Sequence, residues 1–97
     1  MKRSQISPRA YSREHVKERA LNRYAATMTD NDYKWLNEQI SADTVSGTPK
    51  FKQINQEGTQ VTLIVPFKDQ KFVAVFDTAT GLLKTLLPPE QFAGFLE

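Results

Sequence analysis

The sequence predicts an α+β domain: two N-terminal helices packed on a four-stranded antiparallel meander, with a short C-terminal helix able to follow. Three observations lead there. Apolar residues recur at helical spacing as far as about Ser41, then alternate at a period of two after the breaker cluster Ser46-Gly47-Thr48-Pro49. The alternating segments are joined by connections short enough for hairpins, which only antiparallel neighbours allow. And 97 residues with 39% apolar content support one modest core, so the helices must cover a face of the sheet.

Taken in order, residues 1–11 are polar, basic and contain Pro8, which reads as a flexible basic arm ahead of a single domain over residues 12–97. Ser12 is the expected N-cap, with Glu14 favouring the start of a helix that runs to about Ala26. In that helix Val16, Ala20 and Tyr24 recur every fourth residue as an apolar stripe. His15, Arg19 and Arg23 form a polar stripe one position before it. Thr29 and Asp32 have the spacing of a capping box, with Asp in place of Glu, opening a second helix to about Ser41. Its core face is Tyr33, Leu36 and Ile40. Trp35 falls on the opposite side, so it either folds over a helix junction or touches a partner.

The strands follow. Phe51–Ile54 is the first, closed by the loop Asn55–Gly58. Thr59–Phe67 sets Val61, Leu63, Val65 and Phe67 on one face and Thr62 and Ile64 on the other. After the turn Lys68–Gln70, the segment Lys71–Asp77 alternates Phe72, Ala74 and Phe76 with Val73 and Val75. The turn Thr78–Gly81 leads to the last strand, Leu82–Leu87, in which simple alternation places Thr85 on the face of Leu83 and Leu87. Pro88-Pro89 stops it, and Glu90–Leu96 can form a short terminal helix.

Charge and composition narrow the chemistry. Residues 1–24 carry seven Lys or Arg against Glu14 and Glu18, a net of +5, although the whole chain carries only +2. That polarity suits a polyanion, most often nucleic acid. With no Cys, thiol catalysis, disulfides and zinc–thiolate sites are excluded. One His, scattered Gly and the absence of any phosphate-loop or EF-hand pattern lead us to expect neither metal nor cofactor. The N-terminus does not read as a signal peptide and no apolar run is long enough to cross a bilayer, so a cytosolic protein is expected.

His15 is the only imidazole, and the guanidiniums of Arg19 and Arg23 stand on its stripe. A group that titrates near neutrality beside two fixed cations suits a phosphodiester. Lys50 and Lys52 on the first strand, with Lys71 and Lys84, add scattered positive charge. Thr85 offers a hydroxyl that either packs its methyl or meets a phosphate.

Three stretches carry a resemblance. His15-Val16-Lys17-Glu18-Arg19-Ala20-Leu21-Asn22-Arg23-Tyr24, then Thr29-Asp30-Asn31-Asp32-Tyr33, then Phe72–Asp77 followed by Lys84-Thr85-Leu86-Leu87-Pro88 resemble small proteins frequent in phages and toxin modules. The pattern is similar to the barnase–EndoU–colicin–RelE-like superfamily of metal-independent endoribonucleases, over about residues 12 to 88. What the resemblance implies is RNA cleavage by His15, Arg19 and Thr85, with Arg23 and Tyr24 as further candidates; Lys84, Lys50 and Lys52 are expected to contribute to substrate binding through their charge on the strands. The superfamily also contains members that only bind. The alternative reading is therefore a non-catalytic phage effector that docks on a host protein through the basic arm and Trp35.

Overall fold

A computed structural model describes residues 7–96. The order is α1 (Pro8–Tyr24), α2 (Asp30–Thr44), β1 (Lys52–Glu57), β2 (Gln60–Phe67), β3 (Gln70–Asp77), β4 (Leu82–Leu86), a 3-10 turn (Pro89–Phe92) and α3 (Ala93–Leu96). The strands pair antiparallel in the order β1-β2-β3-β4, the expected meander.

Helix α1 begins earlier than its sequence suggested. Ser7 is the cap, its Oγ accepting from the Ala10 N–H at 3.0 Å, and Pro8 sits at the start, where its missing N–H costs nothing. Residues 8–11 are therefore helix and not arm, and residues 1–6 lie outside the described residues. Ser12, the expected cap, is buried inside the helix at 1% exposure. The helix stops at Tyr24 because Ala25 turns left-handed (φ 52°), returning the N–H groups of Ala25 and Ala26 to the carbonyls of Leu21 and Ala20.

The capping box of α2 forms as read. Thr29 Oγ1 accepts from the Asp32 N–H and the Asp32 carboxylate accepts from the Thr29 N–H, both at 3.0 Å. The helix runs one turn past Ser41. At its end the buried Asp43 carboxylate accepts from the Lys50 N–H at 2.6 Å and the Phe51 N–H at 3.1 Å, fixing the chain where it enters β1.

Val16, Ala20 and Tyr24 from α1 and Tyr33, Leu36 and Ile40 from α2 pack on Val61, Leu63, Val65, Phe67, Phe72, Ala74 and Phe76 in one core. Five consecutive residues of β2, Val61–Val65, are buried, because the second face of the sheet is covered too. Ile64 and Val73 point there, and Phe95 of α3 lines a concavity beside Ile64.

One expectation about faces is corrected at β4. The register pairs Phe76 with Leu83 and Val75 with Thr85, leaving Lys84 as an extra residue opposite no partner. This bulge shifts the alternation, so Leu83 and Leu86 enter the core and Thr85 leaves the face of Leu83. The first hairpin also differs. Strand β1 extends through Asn55 and Gln56 to Glu57 past a register shift, so its turn is Gly58-Thr59 alone, with Gly58 at φ 61°.

Candidate nucleic-acid interface

Strand β4 is an edge strand, and the two helices close its open side with polar side chains. From α2, the Asn37 Oδ1 accepts from the Leu83 N–H at 2.8 Å and the Tyr33 hydroxyl donates to the Leu83 carbonyl at 2.8 Å. From α1, an Arg23 guanidinium N–H donates to the Leu86 carbonyl at 2.7 Å. The Tyr24 hydroxyl is wedged between β3 and β4: it accepts from the Val73 N–H at 3.0 Å and donates to the Leu87 carbonyl at 2.6 Å. The contacts to Leu83 and Leu86 satisfy backbone groups that a bare edge would leave open to another strand, while Tyr24 bridges groups that β3 and β4 turn towards each other.

That closure lays the polar stripe of α1 along β4. His15 Nε2 lies 2.9 Å from Thr85 Oγ1, although the two residues are 70 positions apart. The bulge at Lys84 makes the contact possible, since strict alternation would have kept Thr85 with Leu83. Either the threonine hydroxyl donates to a bare Nε2 or a protonated Nε2 donates to the hydroxyl, according to tautomer. Tyr11 stacks on the imidazole from one helical turn earlier, with ring planes 10° apart and centroids separated by 6.2 Å.

The imidazole is held below its ordinary pKa of 6.5, first by partial burial, then by the positive field of Arg19 and, more weakly, Arg23. Glu18 opposes the shift. Burial and the two guanidiniums thus favour the neutral imidazole over its protonated form.

His15, Arg19 and Thr85 thus stand on one half-buried strip, with Arg23 and Tyr24 continuing it and Lys84 next to Thr85 at the bulge. Arg23 gives a guanidinium N–H to β4 and the Tyr24 hydroxyl bridges β3 and β4, so both side chains hold the sheet. Lys50 and Lys52 do not join them. They stand at the start of β1, on the opposite edge of the sheet. Arg13 and Lys17 are also spoken for: Lys17 Nζ is 2.7 Å from the Asp30 carboxylate and Arg13 Nε 3.1 Å from that of Glu14. The Lys17–Asp30 pair, with Arg13 Nε 3.6 Å from the same carboxylate, ties α1 to the start of α2, and Arg19 is the cation nearest His15 on its stripe.

Tyr11 is the residue of this strip that sequence reasoning missed. The signal was there in Ser7-Pro8, a cap followed by proline at the first helical position, which carries the helix back to include Tyr11 four residues before His15. Trp35 does not fold over a helix junction. It is 51% exposed and lines a concavity with Phe51 and Phe95.

Compared with known proteins, the chain matches no family model, no curated protein and no solved structure. Among the described residues no helix is long and apolar enough to cross a membrane.

Proposed function

We propose that this protein binds RNA and cleaves it without a metal ion, with His15 as the general base. The observation that carries the reading is the 2.9 Å contact of His15 Nε2 with Thr85 Oγ1, on a strip where burial and then Arg19 lower the imidazole pKa. Residues so far apart in sequence meet at the spacing a proton-transfer site needs.

The chemistry is a transesterification. A ribose 2′-hydroxyl takes the place of the Thr85 hydroxyl on Nε2 and gives the imidazole its proton. The freed 2′-oxygen attacks the adjacent phosphorus, and the bond from phosphorus to the 5′-oxygen breaks. That oxygen takes a proton from water, and the hydroxide so formed takes the proton back from the imidazolium, leaving a 2′,3′-cyclic phosphate, a 5′-hydroxyl and neutral His15. Arg19 stabilises the charge that builds on the non-bridging oxygens, and Thr85, released from the imidazole, donates to one of them. His15, Arg19 and Thr85 are each only half-buried, so the strip keeps access to solvent.

The test is single-turnover cleavage of a mixed-sequence RNA in EDTA. Cyclic-phosphate ends should form with wild type, vanish with His15→Ala, and fail to form on a substrate lacking the 2′-hydroxyl. If wild type cleaves no more than His15→Ala, the nuclease reading falls and a non-catalytic binder replaces it.

A further inference from the structure

A second basic surface lies away from the His15 strip, and its chemistry is different. Strand β1 begins at Lys52, opposite Ile64, whereas β2 runs on through Val65 and Pro66. The uncovered end of β2 forms the floor of a concavity of about 570 Å³. Trp35, 51% exposed, and Phe95, 44% exposed, form its aromatic walls with the partly buried Phe51. Lys50, Lys52 and Lys71 ring it, all exposed, and no carboxylate lines it. Lys52 Nζ stands 5.4 Å from the centre of the Phe95 ring, so a cation and two π-faces share one rim. Among the described residues none of the three lysines is ion-paired.

We infer that this concavity is a subsite for single-stranded RNA, in which a base stacks on Trp35 and the flanking phosphates meet Lys50, Lys52 and Lys71. The charge fits only an anion, and the half-bare indole fits one that also carries flat apolar rings. Every base supplies such a ring, and stacking of this kind is tolerant of sequence. A path to the proposed cleavage strip exists. Lys71 also lines the neighbouring concavity of about 600 Å³, whose wall includes Arg23 and Tyr24 at the end of α1. The inference rests on the RNA reading above and extends it, giving the strand a course from one edge of the sheet towards the other.

Trp35 is the only tryptophan in the chain, so its fluorescence reports this surface alone. The wild-type protein should be titrated with a 2′-O-methyl oligouridylate of about eight nucleotides, which resists cleavage and falls within the span of one single-strand site. Saturable quenching is expected. By anisotropy of a labelled oligomer, Trp35→Ala should weaken binding about ten-fold or more, as loss of one stacked base does. Trp35→Phe should stay within a few-fold, and circular dichroism should show both variants folded. Lys52→Gln and Lys71→Gln should each shallow the salt dependence of log affinity by about 0.7.

Quenching and competition by inorganic polyphosphate of equal charge, as strong as by the oligomer, would overturn the stacking role. Binding without quenching would place the RNA elsewhere and overturn it too. So would stronger quenching by an acidic, aromatic peptide, which would make the concavity a protein-docking site. Quenching that persists in a protein unable to cleave RNA sinks only the nuclease reading, whereas cleavage without quenching sinks only this one.

Discussion

At the scale of the residue, the imidazole of His15 is the group whose behaviour is easiest to read out, because the chain has no other. Its single titration, followed by NMR, should lie below 6.5. Arg19→Gln removes a neighbouring positive charge and should raise the midpoint, while Glu18→Gln removes the opposing negative charge and should lower it. The same shifts should appear in the acid limb of RNA cleavage if His15 is the base. Linkage gives the sign for stability. A folded pKa below the unfolded one means that the unfolded chain binds the proton more tightly. The contribution of His15 is therefore present above about pH 6.5 and is lost as pH falls through the lowered folded value. Two substitutions separate charge from geometry. Arg19→Lys keeps the cation but loses the planar fork, so turnover should fall by more than binding does. Thr85→Val keeps the shape and removes the hydroxyl, so the rate should fall while urea unfolding stays near wild type. Equal rates for Thr85→Val and wild type would leave Thr85 a merely packed strand residue.

At the scale of the element, two stability effects are expected. Tyr24→Phe withdraws the hydroxyl between Val73 N–H and Leu87 C=O and should cost about 1–3 kcal/mol in denaturant unfolding, as an orphaned buried pair does. Ala25 holds a left-handed conformation at an exposed helix end, so Ala25→Gly should stabilise the fold by about 0.5–1 kcal/mol. Most elements were legible from periodicity alone. The stripe Val16, Ala20, Tyr24 and the capping box at Thr29 lie where spacing put them, since one buried face leaves a helix no other phase. The start of α1 was obscured by Arg9 and its polar neighbours, which resemble a tail although Ser7-Pro8 is a helix start. The bulge at Lys84 was not legible. Leu82-Leu83-Lys84-Thr85-Leu86-Leu87 is apolar on both phases, so the sequence tolerates either alternation, and only packing against α1 selects the one that turns Thr85 to His15. The candidate site was thus readable as residue types and not as a surface: His15 and Thr85 meet, whereas Lys50 and Lys52 belong to the other edge because strand order, not strand sequence, separates them.

At the scale of the whole molecule, positive charge falls on two surfaces at opposite edges of one sheet, and a chain segment precedes the first. Deleting residues 1–6 removes Lys2 and Arg3 yet spares the Ser7 cap. If both residues meet phosphates of single-stranded RNA, the slope of log affinity against log salt should become shallower by about 1.4, measured by anisotropy. An unchanged slope would assign that segment to another role. A longer deletion, through residue 11, would cut the helix and test folding instead. The closing of β4 by α1 also bears on how the protein is made. Helix α1 leaves the ribosome early, but Leu83, Leu86 and Leu87, which accept its partner side chains and those of α2, emerge some sixty residues later. A nascent chain arrested before Leu82 should therefore expose both helices to protease, and extension of the emerged chain past Leu87 should protect them in a single step.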